Sequence, residues 1–180
     1  EANYCHFIRD DYAGDNEDDK YSDELLLPYV QRVLDERHNK LLVVLHTYGS
    51  HFNYRDRYAH SNARFLPDTP TEAQAKNRPQ LLNAYDNTIL QTDRILAKLI
   101  GMLRKQGCAS TLMYTSDHGE NIFDDHRRLF LHASPRPSQY DTDVPLIVWT
   151  SKTYATQHPI EFRAMLGNRK KGVQSNASVF

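Results

Sequence analysis

The stretch LLVVLHTYGSH, Leu41–His51, joins a short apolar run to a polar cluster, and this combination decides the fold class. Its first part, Leu41–His46, is continuous in aliphatic and β-branched residues, which is typical of a strand buried on both faces of a parallel sheet. The polar residues come directly after this predicted strand, where α/β folds gather their ligands. The stretch therefore predicts an α/β sheet with a site at the end of a strand.

Four further elements are predicted around the strand at 41–46. Helical periodicity indicates helices at 23–37 and 79–106, and short β-rich runs indicate strands at 111–115 and 144–150. The order strand, long helix, strand is a βαβ signature, so we predict a mainly parallel sheet covered by helices.

The long helix and the segment before it carry two further expectations. The segment 47–77 has no sustained period, and loops of this length inside compact domains are usually functional. One apolar stripe is predicted along the helix. It comprises Leu82, Tyr85, Ile89, Leu96, Leu99 and Leu103.

Composition excludes two classes of function for this region. The 180 residues contain 22 Lys+Arg and 23 Asp+Glu, a net charge of −1, so the cationic excess that nucleic-acid binding requires is missing. The longest wholly apolar run, Leu41–Leu45, is far shorter than the roughly 20 residues that cross a bilayer. The length fits one ordinary domain.

The two ends of the sequence and its two cysteines bear on chain length and on disulfide pairing. The sequence begins at Glu1 and ends in QSNASVF, 174–180, where a helix would begin, so we expect an internal fragment of a longer protein. The segment 10–23 reads as a solvated acidic loop. Cys5 and Cys108 allow one disulfide, but sequence does not show whether they pair.

Residues that bind metal follow the predicted strand at 111–115. Asp117 and His118 offer a carboxylate and an imidazole at its end, and both are ligand types that Zn²⁺ accepts. Gly119 permits a tight turn, and Glu120 adds a second carboxylate. Two adjacent residues cannot complete a tetrahedral site, so further ligands must come from elsewhere.

Three further histidines accompany this pair: His51, His126 and His132. His51 follows Gly49 and Ser50, a loop whose N–H groups can approach an anion, and we predict a functional role for it. His132 is equally compatible with a structural and a functional role. His126 lies among charged residues and is predicted to be a solvated loop residue.

These residues fall within five runs that occur in the order seen in the lipid A phosphoethanolamine transferases, a group of the alkaline phosphatase and sulfatase superfamily. The resemblance covers about residues 23 to 150. The runs are VVLHTYGSH (43–51), YDNTILQTD (85–93), YTSDHGE (114–120), LHAS (131–134) and DVPLIVW (143–149).

The resemblance implies an alkaline phosphatase-like α/β fold, of which residues 1–180 form a C-terminal, partial domain of the sulfatase-like catalytic region. It implies the periplasmic domain of a bacterial inner-membrane enzyme that is anchored through a preceding region. Such an enzyme moves phosphoethanolamine from a phospholipid donor to lipid A or another envelope glycan. The transfer uses Zn²⁺ and a phosphothreonine intermediate.

Individual roles follow from the same resemblance. Asp117 and His118 match zinc ligands, and Glu120 matches an acidic residue near the substrate amine. His51 and His132 match histidines that hold the phosphoryl group, assist proton transfer or bind an additional zinc. The threonine nucleophile and a further zinc carboxylate have no match in this sequence, so the isolated region is expected to be inactive. We expect Asp117, His118, His51 and His132 to share one pocket.

Two alternatives remain at this point. The region could come from a sulfatase or phosphodiesterase of the same superfamily, which shares the metal pair but uses a different nucleophile. It could also be a non-catalytic metal-binding fragment, because it lacks a nucleophile of its own.

Overall fold

The computed structural model describes residues 4–8, 22–36, 38–132, 134–169 and 171. The chain divides into two compact units, one formed by residues 1–99 with 122–131 and the other by residues 100–121 with 132–180. The predicted tail at 174–180 and all but the last two residues of the predicted acidic loop lie outside the described residues.

The first helix of the first unit confirms the helix predicted at 23–37. Helix α1 spans Leu26–Asp35 and is preceded by a 3-10 turn at Asp23–Leu25. The Ser22 hydroxyl caps this turn by accepting a hydrogen bond from the Glu24 N–H at 3.3 Å. Hydroxyl caps of this kind satisfy backbone donors that have no partner in the first turn.

The long helix α2 spans Arg78–Gln106 and confirms the helix predicted at 79–106. Its buried face differs from the predicted stripe, since Ile89 is 47% exposed. The buried positions recur every three or four residues but include polar side chains. They are Leu81, Ala84, Asn87, Thr88, Gln91, Ile95 and Leu99.

The buried polar residues of α2 explain why apolar periodicity missed part of the buried face. The Asn87 side-chain oxygen accepts hydrogen bonds from the Arg64 and Phe65 N–H groups at 2.8 and 3.0 Å, and its amide donates to the Phe65 carbonyl at 2.9 Å. Asn87 thus satisfies backbone groups of the long 47–77 segment. A periodicity search counts such a residue as solvent-facing, although hydrogen bonding makes its burial acceptable.

The core of the first unit joins α2 to the segments on either side of it. Tyr54 and Leu81 are completely buried, and Ala84 and Ile122 complete the cluster. Aromatic rings surround it in edge-to-face or stacked pairs with centroids 5.0 to 5.4 Å apart, a favourable range for such contacts. These rings belong to Phe52, Tyr54, Tyr85, Phe123 and Phe130.

Two short strands, β2 (Asn121–Ile122) and β3 (Phe130–Leu131), pair with each other. Arg78 fastens the turn between them to the start of α2. Its guanidinium donates to the Ile122 and Phe123 carbonyls at 2.9 and 3.1 Å and pairs with Asp124 at 2.9 Å.

The segment predicted as a strand at 41–46 is not a strand in the structure, and this prediction is wrong. Leu42 and Val44 are 87% and 79% exposed, whereas Leu41 and Val43 are 43% and 39% exposed. Exposure alternates with a period of two, as extended backbone requires. A strand also needs a neighbour, and no described segment pairs with this one.

The second unit contains the other two predicted strands. β1 spans Thr111–Thr115 and β4 spans Leu146–Thr150, so both β-rich runs are confirmed as strands. They pair antiparallel, with Thr111 opposite Thr150 and Thr115 opposite Leu146. The predicted parallel arrangement is wrong for this pair, because no crossover helix of useful length lies between the strands.

Three short helices complete the second unit: α3 (Gln139–Thr142), α4 (Lys152–Gln157) and α5 (Pro159–Asn168). The Arg104 guanidinium lies 5.8 Å from the ring centre of Trp149, a cation–π distance that ties the end of α2 to β4. Across the described ranges, no helix combines the length and apolar character needed to cross a membrane.

Candidate metal and phosphoryl-transfer site

Three metal-binding side chains come together, two from the loop that follows β1 and one from the residue that follows β3. Ligand atoms of His118, Glu120 and His132 all lie within 4.8 Å of one another. Two ligands of one zinc ion, each about 2.1 Å from the metal, stand about 3.4 Å apart in a tetrahedral site. The nitrogen and carboxylate donors and their spacing therefore fit a divalent cation, although three residues leave at least one ligand position to another group.

Glu120 is the buried member of this group. Its side chain is only 5% exposed, and Oε1 lies 2.9 Å from Nδ1 of His132. A carboxylate hydrogen-bonded to one ring nitrogen fixes the tautomer and leaves the other nitrogen, Nε2, to accept a proton or bind a metal. The pairing thus orients the His132 ring.

His118, like His132, has its Nε2 nitrogen available. Its Nδ1 lies 2.8 Å from the Gly119 carbonyl oxygen, which can only accept a hydrogen bond, so Nδ1 carries the proton. Its ring lies against that of His132, with centroids 3.7 Å apart and planes inclined by 32°. Both imidazoles thus have Nε2 available as a ligand or base.

Asp117, the other predicted zinc ligand, is at the surface of this unit. Its side chain is 86% exposed, and Oδ2 lies 3.8 Å from Nε2 of His118, close to the spacing of two ligands on one ion. The second oxygen, Oδ1, accepts from the His118 N–H at 3.0 Å. Both predicted ligands are therefore adjacent in space as well as in sequence.

His51 lies in the first unit, in a loop that is held at several points. The Asp23 carboxylate accepts from the Tyr48 and Gly49 N–H groups at 2.9 and 2.8 Å, and Gly49 has a φ of +56°, which favours glycine. The Ser50 hydroxyl oxygen accepts from the Thr88 hydroxyl at 2.6 Å.

The His51 ring is also oriented by its own loop. Its Nδ1 lies 2.5 Å from the Phe52 carbonyl oxygen, and the His51 carbonyl accepts from Arg57 Nε at 3.0 Å. The side chain is exposed, with Nε2 as its available nitrogen. The expected shared pocket with Asp117 stays a prediction.

Burial raises the pKa of the Asp23 carboxyl above its usual range. The two backbone N–H groups that donate to this carboxylate lower its pKa, and so do Arg57 and His46. Together they offset only part of the effect of burial. No sequence pattern identifies Asp23 as a residue that holds the His51 loop.

The grouping of Glu120 with His118 was also missed from the sequence, where Glu120 was assigned to the substrate amine. One signal for it was present. Alternate residues of extended backbone project to the same side, so residues 118 and 120 can share a site. The two cysteines are free thiols in the structure, and both are exposed.

Comparison with known proteins decides the family. The sulfatase family model matches residues 2–179. The chain belongs to the sulfatase family. The resemblance to phosphoethanolamine transferases is confirmed, since curated relatives of the chain carry that name.

Two of these relatives illustrate the extent of similarity. The chain is 34% identical over 145 residues to phosphoethanolamine transferase EptA of Salmonella typhimurium, covering 77% of this chain and 26% of that protein. It is 33% identical over 154 residues to the Kdo(2)-lipid A phosphoethanolamine 7''-transferase of Escherichia coli, covering 83% and 26%. The chain therefore spans about a quarter of the length of these relatives.

Solved structures confirm the fold class, an alkaline phosphatase-like α/β domain represented here in part. The soluble domain of lipooligosaccharide phosphoethanolamine transferase A from Neisseria meningitidis has a TM-score of 0.76 at 31% identity, covering 85% of this chain and 47% of that one. The C-terminal periplasmic domain of EptC from Escherichia coli, solved as a complex with Zn, has a TM-score of 0.69 at 28% identity, covering 77% and 40%.

Proposed function

We propose that this region supplies part of the catalytic site of a zinc-dependent phosphoethanolamine transferase. The observation that carries the proposal is the group formed by His118 and Glu120, in the loop after β1, and His132, directly after β3. The relatives named as phosphoethanolamine transferases, and the zinc complex of one structural neighbour, support the same assignment.

In this proposal Asp117 and His118 hold the zinc ion, through Oδ2 and Nε2 respectively. These atoms are 3.8 Å apart, and the Nδ1 proton of His118 is already committed to the Gly119 carbonyl. Zinc in such a site supplies positive charge that stabilises an attacking oxygen and the negative charge of the phosphoryl group. The remaining ligands and the threonine nucleophile belong to parts of the protein outside this sequence.

His132 and His51 are the proposed catalytic histidines. Each has Nδ1 next to a hydrogen-bond acceptor, Glu120 for His132 and the Phe52 carbonyl for His51, so each presents Nε2. A neutral imidazole held in this way accepts a proton from an attacking hydroxyl or donates one to a phosphoryl oxygen once charged. Glu120 orients His132, and its predicted contact with the substrate amine remains part of the proposal.

The wider reaction follows from the same assignment. Phosphoethanolamine passes from a phospholipid donor to a threonine of the enzyme, and from this phosphothreonine to lipid A or another envelope glycan. The reaction takes place in the periplasm, at the outer side of the inner membrane to which the complete protein is anchored.

A hydrolase is the competing function, because the sulfatase family also contains enzymes that transfer their substrate group to water. A second ligand set competes as well, in which Glu120 and His132 bind the ion together with His118. The ligand atoms of these three residues lie within 4.8 Å of one another, and this spacing supports them as an alternative set of zinc ligands.

The test uses the full-length protein in membranes and a labelled phosphoethanolamine lipid. His118→Ala should lower transfer to lipid A at least a thousandfold, because loss of one metal ligand removes several kcal/mol of transition-state stabilisation. His126→Ala is the matched control, since His126 is an exposed loop residue, and it should keep wild-type activity.

Three outcomes would contradict the proposal. Equal activity of the His118 variant and the wild type would overturn the zinc-site assignment. Release of free phosphoethanolamine with no labelled lipid A would favour the hydrolase. Zinc content separates the ligand sets. Under the proposal Asp117→Ala should lose the ion, and Glu120→Ala should bind it more weakly because Glu120 lies against both histidine rings. Under the alternative Glu120→Ala should lose the ion and Asp117→Ala should keep it.

A further inference from the structure

The two residues that flank Glu120 are both fastened to the same short segment of the second unit, residues 138–142. The Gly119 N–H donates to the Asp141 carbonyl at 2.8 Å. The Asn121 side-chain amide donates to the Asp141 carboxylate at 2.5 Å. Glu120 therefore sits between two points of attachment, one through backbone and one through a side chain.

A closed network of buried side chains forms the second attachment. Ser138 donates its hydroxyl to the Asn121 side-chain oxygen at 2.6 Å, and the Asp141 carboxylate accepts from the Ser138 N–H at 2.8 Å. The Ser138 oxygen also accepts from the Tyr140 N–H at 3.0 Å, so the network is built on the capping box of α3.

Burial makes this network rigid. Asn121, Ser138 and Asp141 are 1%, 5% and 8% exposed. None of their side-chain atoms is among the buried polar atoms of the described residues that lack a hydrogen bond. A buried network with every group satisfied fixes one geometry, because any displacement leaves a desolvated group without a partner.

Glu120 and Asn121 are consecutive residues whose side chains contact different groups. Successive side chains of extended backbone project in opposite directions. Glu120 contacts His132, while Asn121 contacts Ser138 and Asp141. The hydrogen bonds of Asn121 thus fix the backbone next to Glu120, and the Glu120 carboxylate contacts His132.

We propose that Asn121, Ser138 and Asp141 form a brace whose role is to position Glu120 against His132, and through this pair to set the affinity of the site for zinc. These three are positioning residues, since their side chains hydrogen-bond to one another and act on Glu120 through the backbone that carries it. The expected effect on zinc affinity rests on the proposed function. The positioning of Glu120 against His132 does not depend on it.

The test compares two matched serine variants in the full-length protein. Ser138→Ala breaks the brace. Ser151→Ala removes an equally buried capping hydroxyl of the same unit, one that bonds Ser110, Cys108 and Tyr154 and not the brace. Zinc affinity is measured by competition with a chromophoric chelator, well below the unfolding temperature of each variant.

We expect Ser138→Ala and Asn121→Ala to weaken zinc binding about 10- to 100-fold, the usual effect of losing a group that orients a metal site. Ser151→Ala should stay within about twofold of wild type, on the same basis. In a Glu120→Ala background, neither brace variant should have a further effect, because the brace acts through Glu120.

A second readout is independent of zinc and of catalysis. The His132 ring nitrogens, observed by NMR in metal-free protein labelled at histidine, should shift in both brace variants and not in Ser151→Ala. Equal effects of the two serine variants, or additive effects in the Glu120→Ala background, would overturn the brace. If Asn121→Ala does not fold, Ser138→Ala decides.

The two proposals fail in different ways. A wild-type protein that binds no zinc or transfers no phosphoethanolamine would remove the proposed function, and the His132 signals would still test the brace. An unchanged His132 ring in Ser138→Ala would remove the brace and leave the transferase assignment intact.

Discussion

Gly119 is the residue at which the candidate site is least tolerant of change. A Cβ placed on it would collide with the backbone carbonyl of Tyr140, whose carbon lies 3.0 Å from the Cβ position. The constraint is close approach between two backbone segments, since no positive φ is involved. The loop that carries His118 and Glu120 can lie against α3 only because residue 119 has no side chain.

Gly119→Ala should therefore destabilise the protein by about 1 to 3 kcal/mol, the range found for overpacked sites, and should weaken zinc binding. Thermal and denaturant unfolding of the two proteins measures the first effect. Gly101→Ala is the control, because nothing lies within 4 Å of its Cβ position in α2. There alanine should stabilise the helix by about 0.5 to 1 kcal/mol. A Gly119 variant as stable as wild type would show that the loop can move away from Tyr140.

At the residue scale, the sequence predicted which residue types form the site better than it predicted which of them contact one another. Asp117 and His118 stand out because ligand types follow a strand, and their side-chain atoms are in fact adjacent. The pairing of Glu120 with His132 depends on a chain reversal over twelve residues, which no local pattern encodes. Asn121 could not be identified, because its partners follow it by about twenty residues.

At the scale of elements, the turn at Asp23–Leu25 is what holds the His51 loop. Asp23 accepts from the Tyr48 and Gly49 N–H groups, and Glu24 forms a salt bridge to Lys98 of α2 at 2.7 Å. Since burial raises the pKa of Asp23, its charged form is less favourable in the folded state than in the unfolded chain.

This shift predicts how stability depends on pH. A raised pKa contributes stability below the unfolded value of 3.8, and that contribution is lost as pH rises through the folded value. The free energy of unfolding of wild type, relative to Asp23→Asn, should therefore decline as pH increases through this window. Denaturant titrations of both proteins between pH 3 and 7 provide the measurement. A relative stability that rises with pH would mean that the two backbone hydrogen bonds outweigh burial.

Elements with a strong local signal were predicted within a few residues, whereas their pairing was not. Helices α1 and α2 and strands β1 and β4 follow from periodicity and β-branched runs. The direction of β1 relative to β4 depends on which strands lie beside them, and so does the lack of a pairing partner for 41–46 among the described residues. Such neighbours are distant in sequence or outside it.

At the scale of the whole molecule, the apolar segment Leu41–Leu45 stands out. Its sequence is that of a strand buried on both faces, yet Leu42 and Val44 are largely exposed in this region. Extended apolar segments without a partner strand favour edge-to-edge association. The solved Neisseria domain is about twice as long as the part that this chain matches, so the relative has further chain that could cover such a segment.

The isolated 180-residue chain should therefore self-associate, and Leu42→Lys should reduce this association because a lysine on an exposed strand opposes pairing. Ile160→Lys is the matched control, since Ile160 is also apolar and 73% exposed but lies in helix α5. Sedimentation velocity over a range of concentrations measures the mass of each variant. Equal association of the two variants would show that the segment Leu41–Leu45 does not mediate self-association.

The contact between Arg104 and Trp149 gives the second unit an optical label of its own. Trp149 is the only tryptophan in the sequence, and it lies in β4. Emission excited at the red edge of protein absorption will therefore report on that unit alone, whereas helical circular dichroism reports on helices of both units. Whether the two signals change at one denaturant concentration or at two will show if the units melt as a single cooperative body.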